Sequence, residues 1–477
     1  MGGFNYLFAV IMMLSSQALG SNQTDVHFWV GNASVVSVSD TGFSVGWYSA
    51  DPTIRFDHGR AYPRPASTVL RYGDSPDPAT WTTSEVPGET AYHHVEVTGL
   101  EPGKRYFFEA SSNGVRATNI WPGMRIASPG WVVTLDRPGG ERLARLAISN
   151  DWHFGEERSG ILSGNFPPFF SVDPENPYWR FMAEAVVADA EAHDADVLVI
   201  AGDLTNEAEP FALEEVAAVA GSFDGAVLVG RGNHDRAHAG DIYDTCSPVP
   251  DMALFDCFAD YFSDAGPGEA DNSAIDAGPL RLVMLDSVDV ANGNGVVTES
   301  TATFLAAELA ADGDRPVIAF EHHPASWASI SSWIPWPGFM LERSSVALLN
   351  AASADAGNLL GFFAGHTHRS QRNHGANPDA IYQETGSVKE HIGGYALVDV
   401  YSEGLVHSYR RAACSDCLEW SQRTAQEYFG LYPWIVDGKL SDRAYSTRFA
   451  RPIGHDGSLG DRSGDLVVYP ALSSAQR

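Results

Sequence analysis

Between residues 28 and 136 apolar and polar side chains alternate in short runs separated by turn residues. SVVSVSD (34–40) and FSVGWYSA (43–50) both follow a period of two, which puts every second side chain on one face of a strand. HHVEVTGLEPGKRYFFEASS (93–112) reads as strand, turn, strand, with Pro102-Gly103 as the turn. Short strands at this spacing predict an antiparallel sandwich. RPGGER (137–142) reads as a linker.

After Ala144 the pattern switches to strands that alternate with helices. LARLAIS (143–149), DVLVIAG (196–202), AVLVG (226–230), RLVMLDS (281–287), PVIAFE (316–321) and GNLLGFFAG (357–365) are apolar runs of strand length. Between them YWRFMAEAVVADAEAH (178–193) places Trp179, Met182, Val186 and Val187 on one helical face. FALEEVAAVAGSF (211–223) and a stretch near 300–311 also read as helices. YALVDVYS (395–402) and GLVHSYRR (404–411) close the region as strands. The fold class expected is a layered α/β domain over 143–411, a β-sandwich core flanked by helices, preceded by the all-β sandwich of 28–136. Residues 412–477 lose the rhythm and are expected to form a C-terminal extension.

The chain has 477 residues and a formal net charge of −31. That surface repels phosphate backbones at long range, so no nucleic-acid partner is expected. MGGFNYLFAVIMMLSSQALG (1–20) resembles a secretory signal, with Ala18 and Gly20 at an A-x-A-like cleavage site. Its apolar run is too short to cross a bilayer, and no other stretch approaches that length. Secreted or periplasmic placement follows. Cys246, Cys257, Cys414 and Cys417 then suit two local disulfides, with the pairing open. A redox role for CSDC (414–417) and a zinc site are the competing uses.

Five of the apolar strands end in polar groups that cannot be buried unpaired. LARLAIS runs into NDWHFG, with Asp151 and His153. DVLVIAG runs into Asp203, and AVLVG into GNHD (232–235), with Asn233, His234 and Asp235. PVIAFE ends at His322 and His323, and GNLLGFFAG at His366 and His368. Loops at the carboxyl ends of strands in an α/β sheet converge on one crevice. Carboxylate, amide oxygen and imidazole donors gathered there suit zinc, iron or manganese. One carboxylate can bridge two ions about 3.5–4 Å apart.

The ordered set D-x-H, G-D, G-N-H-D, H, G-H-x-H resembles the calcineurin-like metallophosphoesterases over roughly 143–410. The resemblance implies two divalent or mixed-valence transition-metal ions (Fe, Zn or Mn). Asp151, His153 and His368 would hold one, Asn233, His322 and His366 the other, and Asp203 would bridge. It implies hydrolysis of a small phosphate ester, mono- or diester, by a hydroxide shared between the ions. His234, unligated, would protonate the leaving group or stabilise developing charge. Asp235 either orients His234 or holds the turn. His322 rather than His323 follows from the family's H-x-P arrangement, matched by His322-His323-Pro324.

GLEPGKRYFFEA (99–110) resembles a corner of fibronectin type III modules, and a sandwich ahead of such a domain is similar to the purple acid phosphatases. Those enzymes place a metal-binding Tyr three residues after the bridging Asp, where this chain has Asn206. Trp327, Trp333, Trp336 and Phe339 either line the pocket or pack a loop. Arg369 and Arg372 either contact phosphate or pair elsewhere. A competing function is a catalytically degenerate, metal-binding cell-surface module, which is expected to lack at least one ligand. The oligomeric state is not encoded in any feature above.

Overall fold

The computed structural model describes residues 27–56, 60–118, 130–160, 169–311, 313–332 and 340–474. The signal-like segment 1–20, and Trp333, Trp336 and Phe339, lie outside the described residues. The chain forms two compact units, Met1–Asp136 with Ala471–Arg477, and Arg137–Pro470.

The first unit is all-β. One sheet is built on Trp29–Val38, Phe43–Phe56, Arg60–Pro63 and Tyr92–Val97; the other orders Leu472–Ser473, Gly130–Val133, Arg105–Ser112, Ala66–Gly73 and Thr82–Thr90. The Phe43 ring from the first meets Phe108 of the second with centroids 5.6 Å apart, so the two faces share a core. The fibronectin-like corner closes through Tyr106, whose hydroxyl accepts the Glu101 N–H at 3.1 Å. That bond fixes the turn against the strand that follows it.

The second unit stacks two sheets between helices. The seven-stranded sheet runs Ala226–Gly230, Val197–Ala201, Arg142–Ser149, Gly394–Tyr401, Gly404–Arg411, Ala444–Arg448, Val467–Pro470. Its first three strands are parallel to one another. The six-stranded sheet runs Ser273–Ala277, Leu280–Leu285, Val317–Glu321, Leu359–Ala364, Ile381–Glu384, Gln371–Asn373. The four inner strands are parallel.

Alternate side chains of these strands serve two cores. Leu146, Ile148, Val197 and Val199 meet Ile318, Phe320 and Phe363 between the sheets. Ala147, Leu198 and Ile200 face outward onto the helices Tyr178–Ala192 and Pro210–Ala220. Val317 and Ala319 face outward onto Glu299–Ala311 and Arg343–Ser353. Strands buried on both faces have no polar side, and so read as continuous apolar runs.

Residues 412–477, expected as an extension, are instead divided between sheets and helices. Ser415–Thr424 is a helix whose Trp420 stacks on Tyr178 at 4.6 Å. Ala444–Arg448 and Val467–Pro470 lengthen the seven-stranded sheet, and Leu472–Ser473 pairs with Gly130–Val133 in the first unit. These strands have two to five residues, too few for a period to show. The cysteines pair locally as Cys246–Cys257 and Cys414–Cys417. The thiolates a zinc site would need are therefore consumed. Among the described residues no helix is long and apolar enough to cross a membrane.

Candidate metal centre

Parallel pairing brings the strand ends to one edge. Ala201 is in register with Gly230, and Glu321 with Ala364. The loops beyond them interlock: Trp152 N–H donates to the Asp203 carbonyl at 2.8 Å, and Gly365 N–H to that of His322 at 3.2 Å. Two glycines permit this approach. A Cβ on Gly232 would lie 1.9 Å from the Asp203 nitrogen, and one on Gly202, at φ +87°, would lie 2.6 Å from His322 Nδ1.

Asp151, His153, Asp203, His366 and His368 all have positive φ, between 49° and 66°. That left-handed backbone is uncommon for residues with a side chain and is held only by surrounding structure. Here it turns five side chains back toward a common point.

Two clusters of donors result. Asp151, His153, Asp203 and His368 offer ligand atoms within 4.8 Å of one another, as do Asp203, His322 and His366. Asp203 belongs to both. Its Oδ2 lies 3.3 Å from His322 Nε2 and 3.6 Å from His153 Nε2. Asp151 Oδ1 lies 3.4 Å from His368 Nε2. Asn233 Oδ1 lies 3.0 Å from His322 Nε2 and 2.8 Å from His366 Nδ1. Donors bound about 2.0–2.2 Å from one ion are themselves roughly 3–3.6 Å apart, so these spacings suit metal ligation.

The buried atoms point the same way. Asp151 Oδ1 and both ring nitrogens of His153 are enclosed without a hydrogen-bond partner. Such groups are costly unless something else satisfies them. A pair of cations would satisfy Asp151 Oδ1 and His153 Nε2, the ring nitrogen that faces Asp203, and the donor set fits them.

Tautomers are set from outside. His322 Nδ1 faces the Ala201 carbonyl at 2.9 Å, which can only accept, so Nδ1 carries a proton and Nε2 is the ring atom turned toward Asp203 and Asn233. Burial pulls the His322 pKa down, but the Asp203 carboxylate outweighs it and raises the ring to about 9. Burial likewise opposes charge on His368, and Glu390 and Asp151 hold it well above the usual range. For His153, burial, then Lys389 and His234, outweigh the Asp203 carboxylate and push the ring far down.

Of the adjacent histidines, His322 joins the donors. His323 turns away, with Nδ1 3.1 Å from the Ser287 hydroxyl, and burial lowers its pKa well below normal. His234 stands beside the centre, its ring 4.6 Å from that of His153 and edge-on to it. Its Nδ1 donates to the Asn206 carbonyl at 2.6 Å. Asn206, noted in sequence as the missing tyrosine, thus matters through its backbone.

Asp235 does not orient the His234 ring. Its Oδ1 accepts from Thr205 N–H at 2.9 Å and Thr205 Oγ at 2.7 Å; its Oδ2 accepts from Leu204 N–H at 2.9 Å and Gly232 N–H at 3.0 Å. The carboxylate clamps the Asp203 loop to the turn that carries Asn233. Burial, then the charge of Asp203, lifts its pKa to about 6.

Arg369 is buried and forks onto Glu384, with Nε–Oε2 2.6 Å, so its charge is already matched. Arg372 lies over the Tyr445 ring at 5.0 Å. Trp327 is exposed, with the Arg343 guanidinium over its ring at 4.5 Å. His391 is held by Asp437 at 3.0 Å, and His238 stacks on Tyr243.

Residues 144–370 match the family model described as calcineurin-like phosphoesterase. A glycerophosphodiester phosphodiesterase from Enterobacter lignolyticus is 30% identical over 134 residues, 27% of this chain and 42% of that protein. This chain therefore spans under half the length of that curated relative. Among solved structures, a dimetal phosphatase from Danio rerio is 14% identical, covering 57% of this chain and 98% of its own, with TM-score 0.43. A purple acid phosphatase from yellow lupin seeds is 14% identical, covering 82% and 72%, with TM-score 0.37.

Proposed function

We propose that this chain is a secreted, binuclear-metal phosphoesterase acting on a small phosphate ester. The observation that carries the reading is Asp203, shared between two clusters of metal-type donors. Asp151, His153 and His368 would hold one ion and Asn233, His322 and His366 the other, with Asp203 common to both sets. Iron, zinc and manganese all suit this mixture of oxygen and nitrogen donors. When bound, the ions lower the pKa of water toward neutrality and offset the negative charge of the phosphoryl group.

The residues around them do the rest. The Asn206 carbonyl holds Nδ1–H of His234, so Nε2 is the atom that delivers a proton to the departing oxygen. Asp235 keeps the Asp203 loop and the Asn233 turn in fixed relation. No candidate ligand is missing, which argues against a degenerate, purely binding module. The relative named a glycerophosphodiester phosphodiesterase favours a diester substrate. Both disulfides favour an oxidising compartment.

The test compares p-nitrophenyl phosphate with bis(p-nitrophenyl) phosphate, before and after exhaustive chelation, with metal analysis of the same sample. Two ions per chain and chelator-sensitive hydrolysis support the reading. Metal-free protein that hydrolyses either ester at full rate overturns it. Fractionation of the producing cells tests export separately.

A further inference from the structure

The family match ends at residue 370, yet one ligand is held by groups beyond it. His368 Nδ1 is hydrogen-bonded to Glu390 Oε1. The same oxygen accepts from the Tyr432 hydroxyl and from Ser387 Oγ, the latter at 3.2 Å. Glu390 is 1% exposed. On the far side of the ring, His368 Nε2 faces Asp151 Oδ1 at 3.4 Å.

We propose that Glu390, braced by Tyr432, is the positioning residue that fixes the His368 ring and makes it a strong ligand for the first metal position. The inference rests on the dimetal reading above. A carboxylate that accepts the hydrogen bond from Nδ1–H leaves Nε2 for the ion, locks the ring's rotation and raises its basicity. Tyr432 and Ser387 occupy the Glu390 oxygen from other directions, so the carboxylate cannot swing away.

The C-terminal region thereby gains a role. Tyr432 lies on the short helix Tyr432–Val436. Helix Ser415–Thr424 holds the 389–392 loop from the other side: Trp420 Nε1 donates to the Lys389 carbonyl at 2.7 Å, and Ser421 Oγ to the Ile392 carbonyl at 2.8 Å. A segment that the sequence left without a function becomes the outer support of one metal ligand.

The experiment measures metal affinity of the full chain by competition with a chromogenic chelator, using Mn(II) and Zn(II) separately, for wild type, Glu390→Gln and Tyr432→Phe. Glu390→Gln is expected to weaken one of two sites about 10–100-fold and leave the other within a few-fold. Tyr432→Phe shifts the same site in the same direction by less. Excess metal restores turnover in both, which a merely misfolded site would not do. Far-UV circular dichroism and gel filtration confirm that each variant is folded. If Glu390→Gln fails to fold, Tyr432→Phe alone decides, and unchanged affinity at both sites overturns the proposal. If wild type binds two ions and Glu390→Gln binds them equally well, the proposal also fails while the dimetal reading stands. If wild type binds none, the dimetal reading itself has failed, and this proposal falls with it.

Discussion

Asp203 and His322 come from loops of two different sheets, yet Asp203 Oδ2 lies 3.3 Å from His322 Nε2. The same oxygen faces His153 Nε2 on its other side at 3.6 Å. Removing the carboxylate therefore removes a donor from both clusters at once. Asp203→Ala is expected to lower bound metal from two ions to one or fewer and to reduce turnover at least a hundredfold. Elemental analysis beside a steady-state assay decides it, and a variant with both ions and native rate would refute the bridging assignment.

His234 touches the centre without joining either cluster. His234→Ala should keep both ions and lose roughly two to four orders of magnitude in rate. The loss should depend on the substrate. A leaving group as acidic as p-nitrophenol needs little protonation, whereas an alkyl alcohol needs a full proton. The deficit is thus expected to be smaller for p-nitrophenyl esters than for alkyl esters. Equal deficits would remove His234 from the proton-transfer role, and loss of metal would make it a ligand.

Much of this site was legible because each candidate ligand ends an apolar strand. Asp151, His153, Asp203, Asn233, His322, His366 and His368 follow runs that the two-sided burial of parallel strands requires, so the punctuation stands out. Glu390 and Tyr432 follow no such run. Their chemistry arises only when distant loops meet, and neither spacing nor composition records that. For Asp235 the sequence admits two roles, orienting His234 or holding the turn. Its neighbour His234 suggested a partnership, but the 3-10 turn Asn233–Asp235 sends the two side chains to different places. In the fold, strands of four or five residues such as Ala444–Arg448 escaped notice because tertiary pairing, not pattern, makes them strands.

The clamp made by Asp235 predicts a structural phenotype. Asp235→Ala leaves Leu204 N–H, Thr205 N–H and Gly232 N–H without their acceptor in a buried place, at a cost of ~3 kcal/mol. It should lower the denaturation midpoint and weaken metal binding at both positions, since the loop of Asp203 and the turn of Asn233 both loosen. The dependence of rate on leaving group should persist, because the Asn206 carbonyl still holds His234. Its disappearance at native stability would return Asp235 to an orienting role.

Two histidines far from proton transfer predict how stability depends on pH. His93 is enclosed in the first unit, with Ser49 Oγ at 2.9 Å and Thr68 Oγ at 2.7 Å from its two nitrogens. His407, in the second unit, stacks on Tyr445 at 4.8 Å. Burial lowers each from 6.5 to about 4. The unfolded chain therefore takes up a proton near pH 6.5 that the folded chain refuses until about pH 4. Stability from this source is complete above pH 6.5 and is lost as pH falls toward 4. Each residue should cost ~2 kcal/mol of stability between pH 7 and pH 5. Chemical denaturation at the two pH values measures it. His93→Gln should flatten the decline for the sandwich unit, and His407→Gln that for the α/β unit. A decline that stays as steep in both variants would show that these rings take up protons equally well folded and unfolded.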